Sequence, residues 1–209
     1  MSRPTLNSKC RLCRAEGMKL YLKGARCLSA KCPIEKKGAV PPGMHGIKRA
    51  RKPSDYSLQL RAKQKAKRHY VLNETQFRNY YLAAKKLPGQ IADNLIILAE
   101  RRLDNIVHLS GFATSLTQAR QYVSHGHFLV NGQPVNVPSF STKIGDLITL
   151  KNPKSVLFES PRFESKDFEH PSWLEIQKPA KSVKIASLPD TTSAKNTFDL
   201  NLIIEFYSR

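Results

Sequence analysis

The chain has 209 residues and a net charge of +19, split unevenly: residues 1–86 hold 22 Lys and Arg against 4 Asp and Glu, residues 87–209 hold 13 against 12. A net of +18 over the first 86 residues goes beyond what solubility needs and calls for a polyanionic partner, nucleic acid first, because each Lys or Arg placed on a phosphate releases condensed counterions. Nucleic acid is favoured over a membrane: apolar runs such as Leu95–Ala99 fall far below the ~20 residues of a spanning helix, and no Trp or Phe precedes Phe77 to anchor an interfacial one.

From the N-terminus, Met1–Asn7 lacks the apolar stretch of a secretory signal. Cys10 and Cys13, then Cys27 and Cys32, form a C-x2-C-x13-C-x4-C array that contains all four cysteines of the chain. Two close pairs at this spacing bring four thiolates to one tetrahedral ion, so the array reads as a structural zinc knuckle. Two disulfides or a reactive thiol are the alternatives. The first is disfavoured because nothing points to export, and a catalytic zinc would need an open position that four cysteines close. Lys9, Arg11, Arg14, Arg26 and Lys31 around the site are expected to lower the thiol pKa values. Met18–Gly24 alternates apolar and polar residues and reads as a short strand between the knuckles.

Residues 36–53, with Lys48, Arg49, Arg51 and Lys52 near their end, show no apolar period and read as an irregular basic arm that orders against its partner. Ser54 is an N-cap for a helix over Asp55–Tyr70, with Leu58, Ala62 and Ala66 on one side and Arg61, Lys63, Lys65, Lys67 and Arg68 around the rest. The pair Asn73 and Gln76 opens a second helix, ended by Leu87-Pro88-Gly89, which carries Arg78 and a stripe of Phe77, Tyr80 and Ala84. That stripe reads as core ahead of a base-stacking platform.

Residues 91–109 read as one helix closed at Ser110-Gly111, and Ser115 caps a short helix over Leu116–Ser124 with Ala119, Tyr122 and Val123 inward and Arg120 outward. Asn131-Gly132 between apolar-rich stretches is a hairpin turn, and Ile144–Leu150 adds a turn and a strand. The fold class is therefore α+β, with Arg120, His125, His127 and Asn131 near one helix-to-hairpin corner. His125 is explained equally by a helix C-cap and Asn131 by the turn itself.

The segments Arg101–Val107, Gly111–Ala113, Gln118–His127 and Val130–Gly132 resemble the RNA-binding module named after small-ribosomal-subunit protein four, a module that also occurs in RNA-modifying enzymes and tyrosyl-tRNA synthetases. Pro41–Gly46, Pro53–Tyr56, Gln76–Tyr81, Trp173-Leu174 and Ile204–Arg209 resemble the bacterial ribosomal family itself, and the cysteine spacing its zinc-carrying variant. The chain departs from that family in carrying Leu116 and Thr117 where members usually place basic residues. The resemblance implies a zinc knuckle and basic arm over residues 1–53 and a helical domain over 54–90 completed by the tail from about 176 to 209. Between them lies an inserted α+β module over 91–175, with two helices and an antiparallel hairpin.

It also implies a cytoplasmic, structural protein that binds small-subunit rRNA, nucleates assembly, touches neighbouring ribosomal proteins, and lies by the mRNA entry path through its arm. The residues assigned to RNA are Lys48, Arg49, Arg51, Lys52, Arg61, Lys63, Lys65, Lys67, Arg68, Arg78, Arg102, Ser115, Gln118, Arg120, His125, His127 and Asn131, and one zinc is assigned to the four cysteines. The rival reading, a pseudouridine synthase or methyltransferase with the same module, needs a catalytic Asp motif or a Gly-rich cofactor loop. Residues 138–209 offer neither, and no catalytic residue or small-molecule substrate is assigned. A zinc-containing DNA-binding regulator lacks a helix-turn-helix or finger-type His ligands.

Overall fold

The computed structural model describes residues 8–48, 52–152, 170–177 and 181–209. The chain divides into two units, one formed by residues 1–95 with 192–209, the other by residues 96–191.

The first unit opens with three short helices, α1 (Lys9–Glu16), α2 (Ala25–Leu28) and α3 (Pro33–Lys37). The strand expected between the knuckles does not form. Leu20 and Leu22 are buried on either side of exposed Tyr21, so the alternation is obeyed without a partner strand to make it a ladder. The arm is also less irregular than its composition suggests, because α3 runs to Lys37.

Two longer helices follow. α4 (Asp55–His69) starts at Ser54, whose hydroxyl accepts from the Ser57 N–H at 3.3 Å, and ends one residue before the expected Tyr70. α5 (Glu74–Lys86) starts at Asn73, whose N–H donates to Gln76 Oε1 at 3.2 Å, the return half of a capping box. The apolar stripes are rotated slightly from expectation. Leu58 is exposed while Gln59, Ala62, Lys63 and Ala66 are buried, and Tyr81 replaces the half-buried Tyr80 beside Phe77 and Ala84.

The reason is the C-terminus. After α9 (Thr192–Thr197), α10 (Leu200–Ser208) packs on α4 with Leu200 and Ile203 buried. Phe206 faces Tyr56 with ring centroids 5.9 Å apart, Tyr207 stacks on Tyr81 at 4.8 Å, and Gln59 donates to Glu205 at 3.0 Å. These partners select which face of α4 turns inward.

The expected single helix over 91–109 is two: α6 (Ile91–Glu100) and α7 (Leu103–Leu109). The break has a cause in the second unit. The Thr142 N–H and hydroxyl both donate to the Arg101 carbonyl, Arg101 Nε donates to the Thr142 carbonyl at 2.7 Å, and the Leu103 N–H donates to the Phe140 carbonyl. One isolated antiparallel bridge, Arg102 to Ser141, marks the place where the backbone leaves the helix.

α8 (Leu116–Ser124) and five strands complete this unit. These are β1 (Phe128–Val130), β2 (Gln133–Pro134), β3 (Leu147–Leu150), β4 (Leu174–Gln177) and β5 (Ser182–Ile185), antiparallel in the order β2-β1-β3-β5-β4. Asn131 and Gly132 take φ values of 50° and 80°, the left-handed pair that a two-residue hairpin requires. The expected last strand is shorter at its start, since Ile144 and Gly145 remain in the turn. β5 pairs with β3 and β4, so Leu174–Gln177 and Ser182–Ile185 belong to the sheet and the tail of the helical unit begins at 192, not near 176. The sheet packs on α7 and α8 through Ile106, Val107, Ala119, Val123, Phe128, Ile148 and Val183, with Trp173 among them.

Candidate nucleic-acid interface

The basic half separates into two kinds of cation. The first kind is tied up inside the protein. Glu16, whose side chain is buried, accepts from Arg61 at 3.3 Å and also from Arg68. Burial pushes its carboxyl up, and the charges of Arg68, Arg61 and Lys65 work against that rise. Glu74 accepts from Lys63 at 2.7 Å, Lys67 at 2.8 Å and the Tyr207 hydroxyl at 3.0 Å. Burial alone would raise the Glu74 carboxyl, but these three donors pull it down to about 2, while burial and the Glu74 charge hold the Tyr207 phenol protonated.

Lys63 is buried and also lies 4.1 Å from the centre of the Phe206 ring, so it is a strut between α4, α5 and α10 and cannot meet a phosphate. Arg102 is likewise corrected. It is 1 % exposed and grips Asp104 through Nε at 2.9 Å and Nη2 at 2.6 Å, beside the backbone break its segment makes. A buried cation with both fork positions engaged is structural.

The second kind is exposed. Lys23, Arg26, Lys31, Lys36, Lys37, Lys48, Lys52, Arg78, Lys85 and Lys86 all stand at the surface, and Lys65 is half-buried. Of the residues first assigned to RNA, then, Lys48, Lys52 and Arg78 keep the exposure that a phosphate contact needs. Arg61, Lys67 and Arg68 are only part-exposed and hold internal partners. Arg49 and Arg51 lie outside the described residues.

In the module, Ser115 is buried and caps α8 by accepting from the Gln118 N–H at 3.4 Å. The Gln118 amide is engaged by Thr114, whose N–H and hydroxyl donate to its oxygen, and by Tyr122, to which it donates at 2.7 Å. Both residues shape the start of α8. Arg120 does not simply point outward: it is half-buried, and its charge bears on buried Asp104, whose carboxyl burial raises against the pull of Arg102 and Arg120. His125 is the exposed C-cap of α8, 6.1 Å ring to ring from His127, which stands edge-on to Tyr122 at 6.0 Å. Asn131 is exposed but binds Asp146 at 2.8 Å and the Leu147 N–H at 2.9 Å, stapling the hairpin turn to β3. The corner thus leaves His125 exposed and His127 half-buried beside it, while Asn131 is held by Asp146 and Leu147. Tyr122, which the sequence placed inward, does pack against the core, with its ring edge-on to His127.

Cys10, Cys13, Cys27 and Cys32 are free thiols, all but Cys10 buried. Lys23 N–H donates to Cys27 Sγ at 3.4 Å, and the Leu20 backbone donates to Cys13. Contrary to the expectation from nearby cations, the Cys13 thiol is raised: burial dominates, and the neighbouring thiolates add to it. Four sulfur donors are the right set for a structural zinc, yet among the described residues no group of three or more Cys, His, Asp or Glu side chains converges closely enough to hold a metal ion.

Comparison with known proteins covers both units. Residues 5–100 match the family described as the ribosomal protein S4/S9 N-terminal domain, and residues 101–148 match the S4 domain. The chain is 46% identical over 204 residues to the small ribosomal subunit protein uS4 of Desulfitobacterium hafniense strain DSM 10664 / DCB-2, covering 96% of both chains. It is 48% identical over 202 residues to uS4 of Acidobacterium capsulatum, again 96% of each. It is 42% identical over 205 residues to uS4 of Syntrophomonas wolfei, covering 97% of this chain and 98% of the relative.

Proposed function

The chain belongs to the uS4 family of small ribosomal subunit proteins, and from that premise we propose how its two units divide the work of holding RNA. It is a structural component of the small subunit that binds rRNA, it acts on the ribosome in the cytoplasm, and it is not an enzyme. The observation that carries this reading is similarity to uS4 along nearly the whole chain.

The exposed cations of the first unit supply electrostatic grip, each releasing counterions from the phosphate it meets. The module supplies fit. A-form RNA hides its bases in a narrow major groove, so a rigid surface reads the shape of a folded site and the bases that such a site unstacks. The His125 and His127 corner suits the second task, and the buried Arg102–Asp104 pair fixes the start of α7 in the same unit. The protein binds rRNA early and nucleates assembly, with other small-subunit proteins as neighbours. A tagged copy should sediment with small subunits; recovery only in light fractions or with free RNA overturns the reading.

Two finer proposals accompany it. Arg49, Arg51 and Lys52 line the path of incoming mRNA, so alanine at all three should slow passage through structured message while leaving assembly intact; lost assembly would reassign them to rRNA. Cys10, Cys13, Cys27 and Cys32 hold one structural zinc, supported by the number and type of donors and by a knuckle too small to have a core of its own. Metal analysis of protein purified under reducing conditions should give one zinc per chain. Four titratable thiols with no metal would refute it.

A further inference from the structure

Thr114, Gln118, Tyr122 and His127 form a polar row that runs along α8 and past both of its ends. Thr114 precedes the Ser115 cap, and its N–H and hydroxyl both donate to Gln118 Oε1, at 2.9 and 2.7 Å. Two donors on one oxygen settle which end of the amide is which. Gln118 Nε2 is left to face along the helix, where it donates to the Tyr122 hydroxyl at 2.7 Å. The Tyr122 ring packs against the core and meets the His127 ring edge-on, with centroids 6.0 Å apart and planes at 87°. Positions 114, 118 and 122 follow the i, i+4 spacing that stacks side chains on one face of a helix. The row thus begins in the turn before α8 and ends at the corner after it.

His127 is fixed through its backbone as well. Its N–H donates to the Tyr122 carbonyl at 3.3 Å, and its carbonyl accepts from the Lys151 N–H at 2.9 Å, just past the end of β3. The ring is half-buried, with exposed His125 6.1 Å away. α8 does not need this row in order to form. Ser115 already caps it by accepting from the Gln118 N–H, and polar i, i+4 pairs add little to a helix. What the row does is local: it locks a glutamine and a tyrosine, and through them it narrows the directions open to the His127 ring. A ring already held in one direction loses less freedom on binding than one that must be captured.

We infer that Gln118 and Tyr122 are positioning residues, which set the His127 ring for its contact with rRNA and do not themselves touch the RNA. Gln118 thereby leaves the contact surface to which its motif assigned it, and Tyr122 gains a role beyond packing. The inference rests on the reading that His125 and His127 fit the module to a folded rRNA site. Whether the ring lies on an unstacked base or donates to a phosphate, the contact needs it to point one way.

The test uses the full-length protein, a transcript of the complete small-subunit rRNA, and an unrelated RNA of equal length as the measure of non-specific binding. NMR of the free, histidine-labelled protein reports the His127 ring, whose signals are identified by their loss in His127→Ala. That variant should bind the cognate transcript about tenfold more weakly, the size of one lost base contact, and the unrelated RNA as before. Gln118→Leu and Tyr122→Phe keep most of the volume and remove the polar tether. Each should weaken the cognate transcript about threefold to fivefold and shift the His127 ring signals. In the His127→Ala background neither should have any further effect, because a residue that acts through another then has nothing to act on. A change that merely loosened the module would still weaken binding there. The inference is overturned if the losses multiply in the double variants, which would make Gln118 or Tyr122 an RNA contact in its own right. It is equally overturned if the His127 signals stay in place in both single variants. If His127→Ala binds like the parent, or the parent does not prefer its own transcript, the reading of the corner falls and takes the inference with it.

Discussion

Glu74 shows how much a single side chain can organise. It stands at the first position of α5 and gathers Lys63 and Lys67 from α4 and Tyr207 from α10, three donors on two other helices. Its carboxyl sits at about 2 in the folded protein against an ordinary 4.5. A folded-state value below the unfolded one contributes stability that is full above pH 4.5 and is lost as the pH falls from there toward 2. The group is about half exposed, so solvent screening cuts the contribution to roughly 1 kcal/mol. Glu74→Gln should therefore lower the melting temperature by about 2–4 °C at neutral pH. The gap between variant and parent should close as the pH is taken down toward 2. A gap that persists unchanged in acid would show that packing, not charge, accounts for the effect. None of this was legible in the sequence, because Glu74 and Tyr207 lie 133 residues apart and a helix-opening Glu has a sufficient local explanation. Ser54, Ser115, the Asn73–Gln76 pair and the Asn131-Gly132 turn were legible because each partner lies within a few residues.

At the scale of elements, the same distinction between local and distant causes decides what sequence patterns reveal. Caps and hairpin turns put most helix and strand boundaries within reach, whereas the face that each helix buries depends on who packs against it. α4 turns Gln59 and Lys63 inward because α10 brings Glu205 and Phe206 to meet them, and it leaves Leu58 outside. The break between α6 and α7 follows from pairing with residues near 142, a partner that the local apolar period cannot announce. The apolar end of the chain is the companion that the upstream helices need, since α10 packs on α4 with Leu200 and Ile203 buried. α10 should accordingly carry much of the first unit's stability. Ile203 is fully buried in it, and Ile203→Ala should cost about 2–5 kcal/mol, read by chemical denaturation. A loss under about 1 kcal/mol would mean that α10 docks too loosely to close that unit.

For the molecule as a whole, net charge overstates the cations available to RNA. The sequence placed an excess of 18 before residue 87, but Arg61, Lys63, Lys67 and Arg68 spend their charge on Glu16 and Glu74. Those ion pairs sit on the helices that a count of basic residues would rank as the main RNA surface. The exposed cations flank the cysteine knuckle and the arm instead, at Lys36, Lys37, Lys48 and Lys52 among others. Two sets of glutamine substitutions separate these roles. Replacing Lys36, Lys37, Lys48 and Lys52 together should flatten the dependence of log affinity on log salt by about 3, since each phosphate contact contributes roughly 0.7 to 0.9. The fold should be unaffected, because no packed side chain is removed. Replacing Lys63 and Lys67 should leave the slope near its original value and lower the melting temperature, because their partner is Glu74 and not a phosphate. If the helix pair changes the slope as much as the surface set does, the internal ion pairs open when RNA binds, and the grip belongs to α4 after all.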